Sequence, residues 1–378
     1  MAAEVWVTHA ASVTALGGNL EESWQRLLWG HSAIAPVTRF PVKGYKSRFA
    51  ACIEDLSCSE TPSAIHDLLG RLLAETGPVP ADARLYTATT KAGIDNLERS
   101  RRGTPVDTSH ILLSTLEEKV SRQLGLTHRG TNISAACASS AIAVAKGAAL
   151  IAAGRTECVL ICCADLVTEF VFSGFSALGA LSPNPCTPFD RERRGLTLGE
   201  GAASLLLMGA DRARKEGRPH LGTVLGWGVA NDAFHVTAPA PDGRGLLAAM
   251  RQALKRAGLK PEGVSAVCAH GTGTVYNDQM ELMAFDQLFG DRRLPVYSIK
   301  GAVGHTLGAA GGIEVALGIR SLSEGLVPPT VGFSKGEGSA VGRVSSRAET
   351  MPGNYLLTTN SGFGGINAAL VLAKGRGA

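Results

Sequence analysis

The 378-residue sequence has few aromatic residues, no long apolar run and almost no excess of one charge. Its 37 basic and 33 acidic residues give a net charge of +4, and no block of five like charges occurs, so the charge pattern does not indicate a nucleic-acid-binding protein. No apolar run approaches the length of a transmembrane helix. The first residues lack the basic and apolar segments of a signal peptide, so we expect a cytoplasmic protein that does not bind membranes.

The low aromatic content, 5%, contrasts with 46 glycines, which allow many tight turns and close contacts between helices and sheets. This composition favours an α/β protein over a β-sandwich. The 8 cysteines are too sparse for a disulfide scaffold in a chain of this length, and they indicate a reducing compartment.

Apolar runs rich in Val, Leu and Ile alternate with helical stretches, a pattern typical of strands covered by helices on both faces. Residues 159–163 predict a buried strand, and the small side chains of 138–152 predict a buried helix that ends at Gly154. Residues 57–114 mix Pro, Gly, Ser and charges and give no clear elements. The second half repeats the pattern, so we expect two αβ halves that meet near residue 225. Its predicted helices are 244–256, 279–289 and 312–323, and its predicted strands are 264–268, 296–299 and 355–359.

Cys137 lies in the segment Ile-Ser-Ala-Ala-Cys-Ala-Ser-Ser, at the start of the small-residue helix. Backbone N–H groups at a helix N-terminus stabilise negative charge, so this position is expected to lower the pKa of the thiol. The same amides could donate to an oxyanion formed on a thioester carbonyl. An isolated cysteine is more often a buried structural residue, so the interpretation depends on what surrounds it.

Two glycine-rich turns in the second half follow predicted strands. The segment Ala-His-Gly-Thr-Gly-Thr at 269–274 exposes His270 at a strand end, and Asn-Ser-Gly-Phe-Gly-Gly-Ile-Asn occupies 360–367. Glycines let the backbone bend sharply at such positions. Either turn alone could be purely structural.

A third glycine-rich turn, at 299–314, holds Lys300 and His305 and leads to Glu314 on the next predicted helix. A lysine and a glutamate among small and apolar residues need partners, which favours a mutual ion pair. Four chemically suggestive segments that each follow a strand are harder to explain as structure alone, so together they predict an active site.

Five residues, in their order along the chain, resemble the active-site residues of the elongating β-ketoacyl-acyl-carrier-protein synthases of the thiolase superfamily: Cys137, His270, Lys300, His305 and Glu314. The match runs over nearly the whole chain and includes the segments 188–190 and 198–202 and, after the first histidine, Asp278 and Glu281. One Cys and two His form a set similar to that of the elongating synthases. Related synthases differ because they have Asn in place of the second His.

The resemblance implies a thiolase fold of five layers (αβαβα) from two duplicated halves, with the nucleophile in residues 1–225 and both histidines in 226–378. It implies a dimer, which could be a homodimer or a heterodimer with a chain-length-factor-like paralogue, and acyl-carrier protein as a partner. An acyl group would move from the phosphopantetheine arm of the carrier to Cys137. Malonyl-carrier protein would then lose carbon dioxide, and His270 and His305 would stabilise the enolate that attacks the Cys137 thioester.

The resemblance also implies supporting roles. Lys300 would hold the histidines through Glu314, and the amides of Cys137 and Phe363 would form an oxyanion hole, with the Phe363 ring gating the acyl pocket. No metal and no resident cofactor are expected. Contacts with the pantetheine arm or the acyl chain are expected from four further residues: Thr272, Thr274, Phe175 and Gly364.

The chain departs from the family in several places. Residues 50–137 form a shorter segment than usual, with 60–66 where a basic carrier-docking stretch is common, and Gly179 replaces a basic residue. Ser361 stands where a further aromatic residue is common, which leaves the acyl chain length open and favours specialised polyketide or polyene synthesis over fatty acid elongation. Docking to an acidic carrier would rely on other cations: Lys43, Lys46 or Arg191.

Two other functions are alternatives to a condensing acyltransferase. A non-condensing chain-length-factor-like subunit typically lacks the nucleophile, and the presence of Cys137 with two histidines argues against it. A degradative thiolase needs a second cysteine near the C-terminus, and no cysteine follows Cys268. The sequence therefore predicts a β-ketoacyl-acyl-carrier-protein synthase of fatty acid or specialised biosynthesis.

Overall fold

A computed structural model describes residues 3–56 and 62–377 of the chain. Cys58 and residues 60 and 61 of the shortened segment lie outside the described residues. Within those ranges, no helix is long and apolar enough to cross a membrane. The helices are α1 (Leu20–Leu28), α2 (Ala64–Glu75), α3 (Asp95–Arg101), α4 (Ser114–Leu124), α5 (Ser139–Ala152), α6 (Glu169–Ala177), α7 (Ala210–Lys215), α8 (Arg244–Ala257), α9 (Val275–Phe289), α10 (Lys300–Val303) and α11 (Ala310–Glu324). The strands are β1 (Val5–Thr14), β2 (Ala35–Pro36), β3 (Phe49–Ala51), β4 (Arg84–Ala88), β5 (Thr131–Ile133), β6 (Cys158–Asp165), β7 (Leu198–Gly199), β8 (Gly201–Gly209), β9 (His220–Asn231), β10 (Ala266–Cys268), β11 (Val296–Tyr297), β12 (Leu326–Val327), β13 (Glu349–Thr350), β14 (Tyr355–Gly362) and β15 (Ile366–Gly377).

Ten strands form a large central sheet in the order β11-β10-β14-β15-β9-β1-β8-β6-β4-β5. Its middle strands, β1 and β9, pair at Trp6 with Thr223 and at Val7 with Gly222. The neighbouring pairs are much longer, since β1 follows β8 from Val5 to Thr14. The sheet therefore consists of two five-stranded parts joined at a narrow junction.

The two parts of the sheet have the same topology. In the first part, β8 is antiparallel to both β1 and β6, and β4 is parallel to β6 and β5. In the second part, β15 is antiparallel to both β9 and β14, and β10 is parallel to β14 and β11. The five strands of each part can be numbered in chain order. From the outer edge of the sheet to the junction, both parts then have the order third, second, fourth, fifth and first.

Two helices lie between the two parts of the sheet. α5 packs on β6 and β4 of the first part and also on β9 and β15 of the second, while α11 contacts both β14 and β8. Helices α2 and α8 cover the outer faces of β1 and β9, respectively. The molecule is therefore layered helix, sheet, helix, sheet, helix, with its main apolar core around the central helices.

The central helices approach closely because small residues line their contact. A Cβ atom on Gly311 would lie 2.7 Å from the Ala141 nitrogen, and one on Gly312 would lie 2.4 Å from Cys163 Sγ. The Gly312 N–H donates to Ser140 Oγ at 2.8 Å. The first turns of both helices are thereby held against each other.

Most elements predicted from the sequence are present, and the exceptions have identifiable causes. The helix predicted at 279–289 begins at Val275, because the Thr274 hydroxyl caps it by accepting from the Asn277 N–H at 3.4 Å. The segment 57–114, which gave no clear elements, contains α2, α3 and the interior strand β4. Residue 225, where the halves were expected to meet, lies inside β9.

Candidate active site

Cys137 lies in a tight turn between β5 and α5 and is 8% exposed. Ala136, just before it, has a φ of +47°, a left-handed conformation that is uncommon for a residue with a Cβ. The Ser139 hydroxyl stabilises this turn, since it accepts from the Ala135 N–H at 2.8 Å and donates to the Ala136 carbonyl at 2.6 Å. The thiol is thus held in a defined direction at the start of the helix.

The expectation that the helix N-terminus lowers the pKa of this thiol is wrong. Burial raises the pKa of Cys137 to about 11. The charge of Lys300 and hydrogen bonds from the amides of Phe363 and of Cys137 itself act in the opposite direction but do not offset the loss of solvation. The free protein therefore holds a protonated thiol that accepts from two backbone amides.

His270 follows β10, and its backbone is fixed by Glu281 on α9. The N–H groups of His270 and Gly271 donate to the two Glu281 oxygens at 2.8 Å and 2.6 Å. Burial, followed by the nearby charge of Asp278, raises the pKa of the Glu281 carboxyl to about 7. Glu281 therefore acts on the imidazole through the backbone, as an anchor for the turn.

His305 is fixed by strand-like pairing on both sides. Its N–H donates to the Thr197 carbonyl at 2.7 Å, and its carbonyl accepts from the Gly199 N–H at 3.0 Å. The Leu307 N–H donates to His305 Nδ1 at 3.0 Å, so Nδ1 is the acceptor of the neutral ring and Nε2 carries the hydrogen. His305 is therefore set up as a hydrogen-bond donor through Nε2.

The structure brings the predicted nucleophile and both histidines together. Cys137 Sγ and one nitrogen of each imidazole all lie within 4.8 Å of one another, and the His270 and His305 rings meet edge to face with centroids 5.1 Å apart. Burial and the charge of Lys300 lower the pKa of His305 to about 3 and that of His270 well below its usual value. Both rings are therefore neutral near pH 7. The three atoms would also suit Zn²⁺, so the expected lack of a metal stays a prediction.

Lys300 and Glu314 form the ion pair that the sequence predicted. Lys300 Nζ lies 2.5 Å from Glu314 Oε1, and both side chains are almost fully buried. Lys300 Nζ also donates to the His270 carbonyl, and Asn360 Nδ2 donates to Glu314 Oε2 at 2.7 Å. The pair therefore connects the turn that carries His270 to helix α11.

Replacing Lys300 with methionine is expected to lower the free energy of unfolding by about 3–5 kcal/mol, because it leaves Glu314 buried without its partner. The double variant Lys300→Met/Glu314→Leu should recover most of this loss, since no buried charge remains. Urea unfolding curves would measure both, with Lys335→Met as the control at an exposed lysine. A single variant within about 1 kcal/mol of the wild type would contradict this account of the pair.

The lowered imidazole pKa values predict how stability depends on pH. Below pH 6.5 the unfolded chain binds protons at His270 and His305 that the folded protein does not bind. Their contribution to the free energy of unfolding is therefore lost as the pH falls from 6.5 toward 3. His305→Asn keeps an acceptor for the Leu307 N–H but does not titrate, so its stability should fall less steeply, by up to about 1.4 kcal/mol per pH unit. Urea unfolding between pH 4.5 and 7.5 would test this, and parallel curves would contradict it.

A cavity of about 370 Å³ leads from the surface to Cys137 and both histidines. The rings of Phe175 and Phe363 stack in its wall, with centroids 5.7 Å apart. Gly364 is exposed and does not line the cavity. Lys300 and Glu314 do not line it either, since both side chains are buried. Thr272 and Thr274 do line it, and their hydroxyl oxygens are 2.9 Å apart.

Two residues of this region were not identified as site residues from the sequence: Asp165 and Arg194. Asp165 is fully buried and accepts from the Gly308 N–H at 2.7 Å and the Thr89 hydroxyl at 2.7 Å, which fixes the turn after His305. A carboxylate at the end of an apolar strand was the available signal for it. Arg194 lines the cavity mouth, and its sequence position gave no comparable signal.

The fold and the cluster of one thiol and two neutral imidazoles define a condensing acyltransferase. A model of the β-ketoacyl synthase N-terminal domain matches residues 83–213, and a model of the β-ketoacyl synthase C-terminal domain matches residues 221–334. Together these matches cover more than half of the chain. The chain belongs to the β-ketoacyl synthase family, as the resemblance implied.

Relatives match along nearly the full chain. The 3-oxoacyl-[acyl-carrier-protein] synthase 2 of Synechocystis sp. is 28% identical, and that of Rhizobium meliloti is 29% identical, each match covering 98% of both chains. The alignment with the Synechocystis protein spans 413 positions, more than the 378 residues of this chain. That relative therefore carries segments that this chain lacks.

Solved structures confirm the thiolase-type fold. A β-ketoacyl synthase from Burkholderia phymatum superposes with a TM-score of 0.87 at 26% identity, covering 98% of this chain and 99% of that chain. A ketosynthase in complex with its chain length factor, from Xenorhabdus doucetiae, gives a TM-score of 0.82 at 27% identity and covers 98% of both chains.

Proposed function

We propose that this protein is a β-ketoacyl-acyl-carrier-protein synthase that condenses malonyl-carrier protein with an acyl group held on Cys137. The observation that carries the proposal is the convergence of a thiol and two neutral imidazoles at the inner end of one cavity. The relatives named as 3-oxoacyl-[acyl-carrier-protein] synthases support a carrier-bound thioester as the substrate.

In the first step, Cys137 Sγ attacks the thioester carbonyl of the acyl-carrier protein. The thiolate of the carrier leaves and takes up the proton that Cys137 loses. The amides of Cys137 and Phe363 donate to the Cys137 thiol in the free protein, and they stabilise the oxyanion during the attack. The product is an acyl thioester on Cys137. We assign Phe363 and Phe175 to the acyl pocket, because their stacked rings form its wall next to the nucleophile.

In the second step, malonyl-carrier protein enters and its C–CO₂ bond breaks, which leaves the electron pair as an enolate. His305 donates to the enolate oxygen through Nε2, and His270 is the second donor. The carbanion attacks the Cys137 thioester, the sulfur leaves, and a 3-oxoacyl thioester remains on the carrier. Decarboxylation makes a strong base unnecessary, which is consistent with imidazoles of low pKa. Lys300 and Glu314 position the donors through the His270 backbone.

A panel of acyl-carrier proteins of different chain length tests the proposal. We expect an acyl adduct in the intact mass of the wild type, and a 3-oxoacyl-carrier product after malonyl-carrier protein is added. The chain that loads best identifies the acyl substrate, which bears on fatty acid against polyketide or polyene synthesis. If control synthases load and this protein loads no chain, alone or with its co-purified partner, the proposal fails.

The second candidate is a chain-length-factor-like subunit, because a ketosynthase complex with such a factor is among the structural neighbours. That candidate predicts no adduct on this chain but a stimulated partner ketosynthase. A catalytic chain that forms either a homodimer or a heterodimer with such a factor fits the proposal. Native mass spectrometry of the protein purified from its native host distinguishes the two assemblies by the masses of their subunits.

We also propose that residues 1–225 supply the nucleophile and that residues 226–378 supply the two catalytic histidines. Cys137 stands in the first, and His270 and His305 stand in the second. The identical strand order of the two parts of the sheet supports a duplicated origin. The cytoplasm is the proposed location.

A further inference from the structure

The mouth of the cavity carries one charged side chain, Arg194. The other described residues that line the cavity are apolar, small or uncharged polar, and the two histidines are neutral. Arg194 is exposed and carries a positively charged guanidinium. The path to Cys137 therefore begins at a fixed positive charge.

Arg194 has no partner among the described residues, unlike its basic neighbours. Arg193 is buried and pairs with Glu337 at 2.8 Å, and Arg191 lies 3.8 Å from Glu192. No described carboxylate lies within 4.0 Å of Arg194, and no described group accepts a hydrogen bond from it. Its five N–H donors are therefore available to a ligand.

The backbone that carries Arg194 is held against the inner wall of the cavity. The Gly195 N–H donates to the Gly273 carbonyl at 3.0 Å, and the Leu196 N–H donates to the Ala180 carbonyl at 2.9 Å. A Cβ atom on Gly195 would lie 2.7 Å from the Ala180 oxygen, so this close approach requires glycine. Gly273 stands between the two threonines that line the path, so this hydrogen bond holds the segment of Arg194 beside them.

We propose that Arg194 binds the phosphate of the phosphopantetheine arm while the arm's thioester end reaches Cys137. The proposal rests on the proposed function, since it requires a carrier-bound thioester in this cavity. The arm carries its thioester and its phosphate at opposite ends, and the cavity places the nucleophile inside and the cation at the mouth. A planar guanidinium fork fits two phosphate oxygens, which a hydrated lysine ammonium matches less well.

The test compares three donors of the same acyl group: acyl-carrier protein, acyl-phosphopantetheine and acyl-pantetheine. The rate of acylation of Cys137 is measured by intact mass as a function of donor concentration. We expect R194Q to raise the KM for both phosphate-bearing donors about 10-fold or more and to leave acyl-pantetheine unchanged. R194K should restore part of the loss. R251Q, at an exposed arginine of α8 that does not line the cavity, is the matched control.

Each other outcome overturns the proposal in a recognisable way. A loss with all three donors would mean that R194Q disturbs the cavity itself. A loss with acyl-carrier protein alone would place Arg194 against an acidic side chain of the carrier. Equal loading of wild type and R194Q would remove the assignment and leave the proposed function standing. Failure of the wild type to load from any donor would remove both.

Discussion

Cys137→Ala is expected to abolish acyl transfer and to lower the rate of condensation by about 10⁴-fold or more, the scale seen when a covalent nucleophile is removed. The same variant should still decarboxylate malonyl-carrier protein, because His270 and His305 do not depend on the sulfur for their positions. His270 is held by Glu281 and His305 by Thr197 and Leu307. Intact mass measures the acyl adduct, and release of labelled carbon dioxide measures decarboxylation.

Cys52→Ala is the control for this experiment, since Cys52 is a free thiol that does not line the cavity. It should load and condense at the wild-type rate. Retention of an acyl adduct in Cys137→Ala would place the nucleophile elsewhere. Loss of decarboxylation together with acylation would show that the histidines need the cysteine, against the geometry described above.

His270→Ala and His305→Ala should each lower the rate of malonyl decarboxylation by about 10²–10³-fold, the scale for losing one donor to a developing oxyanion. Acylation of Cys137 should fall by less than about tenfold, because the amides of Cys137 and Phe363 remain in place. Separate assays of adduct formation and carbon dioxide release resolve the two steps.

His128→Ala, at an exposed histidine outside the cavity, should change neither step. If either active-site histidine variant lost acylation as completely as decarboxylation, that imidazole would have to act on the thiol proton as well. The pKa of about 11 for Cys137 makes this comparison informative, since a thiol needs an acceptor for its proton during acylation.

The sequence was sufficient to predict an active site because the reactive groups lie in short segments with strong local signals, and the family resemblance then implied the condensation chemistry. Cys137 precedes a helix of small residues, and His270 and His305 stand in glycine-rich turns after strands. The ion pair of Lys300 and Glu314 could be predicted because a lysine and a glutamate among small and apolar residues both need partners. The structure places all of them within one connected region.

Features that depend on contacts between distant segments could not be predicted. The pKa of Cys137 depends on burial by segments remote in sequence, and this burial outweighs the local effect of the helix N-terminus. The tautomer of His305 depends on a backbone N–H that only the folded turn supplies. The interior strand β4 has the sequence Arg-Leu-Tyr-Thr-Ala, too short and mixed to stand out from its surroundings.

The central helices α5 and α11 hold the two halves of the chain together. Each half alone would expose the apolar side of α5 or α11 to water, so separately produced halves should be insoluble and should regain activity only when folded together. The positions of Cys137 relative to His270 and His305 thus depend on the packing between the two halves. A bulky substitution at Gly311 or Gly312 would clash with Ala141 or Cys163, and we expect it to move the Cys137 turn relative to His270 and His305 and so to uncouple acylation from decarboxylation.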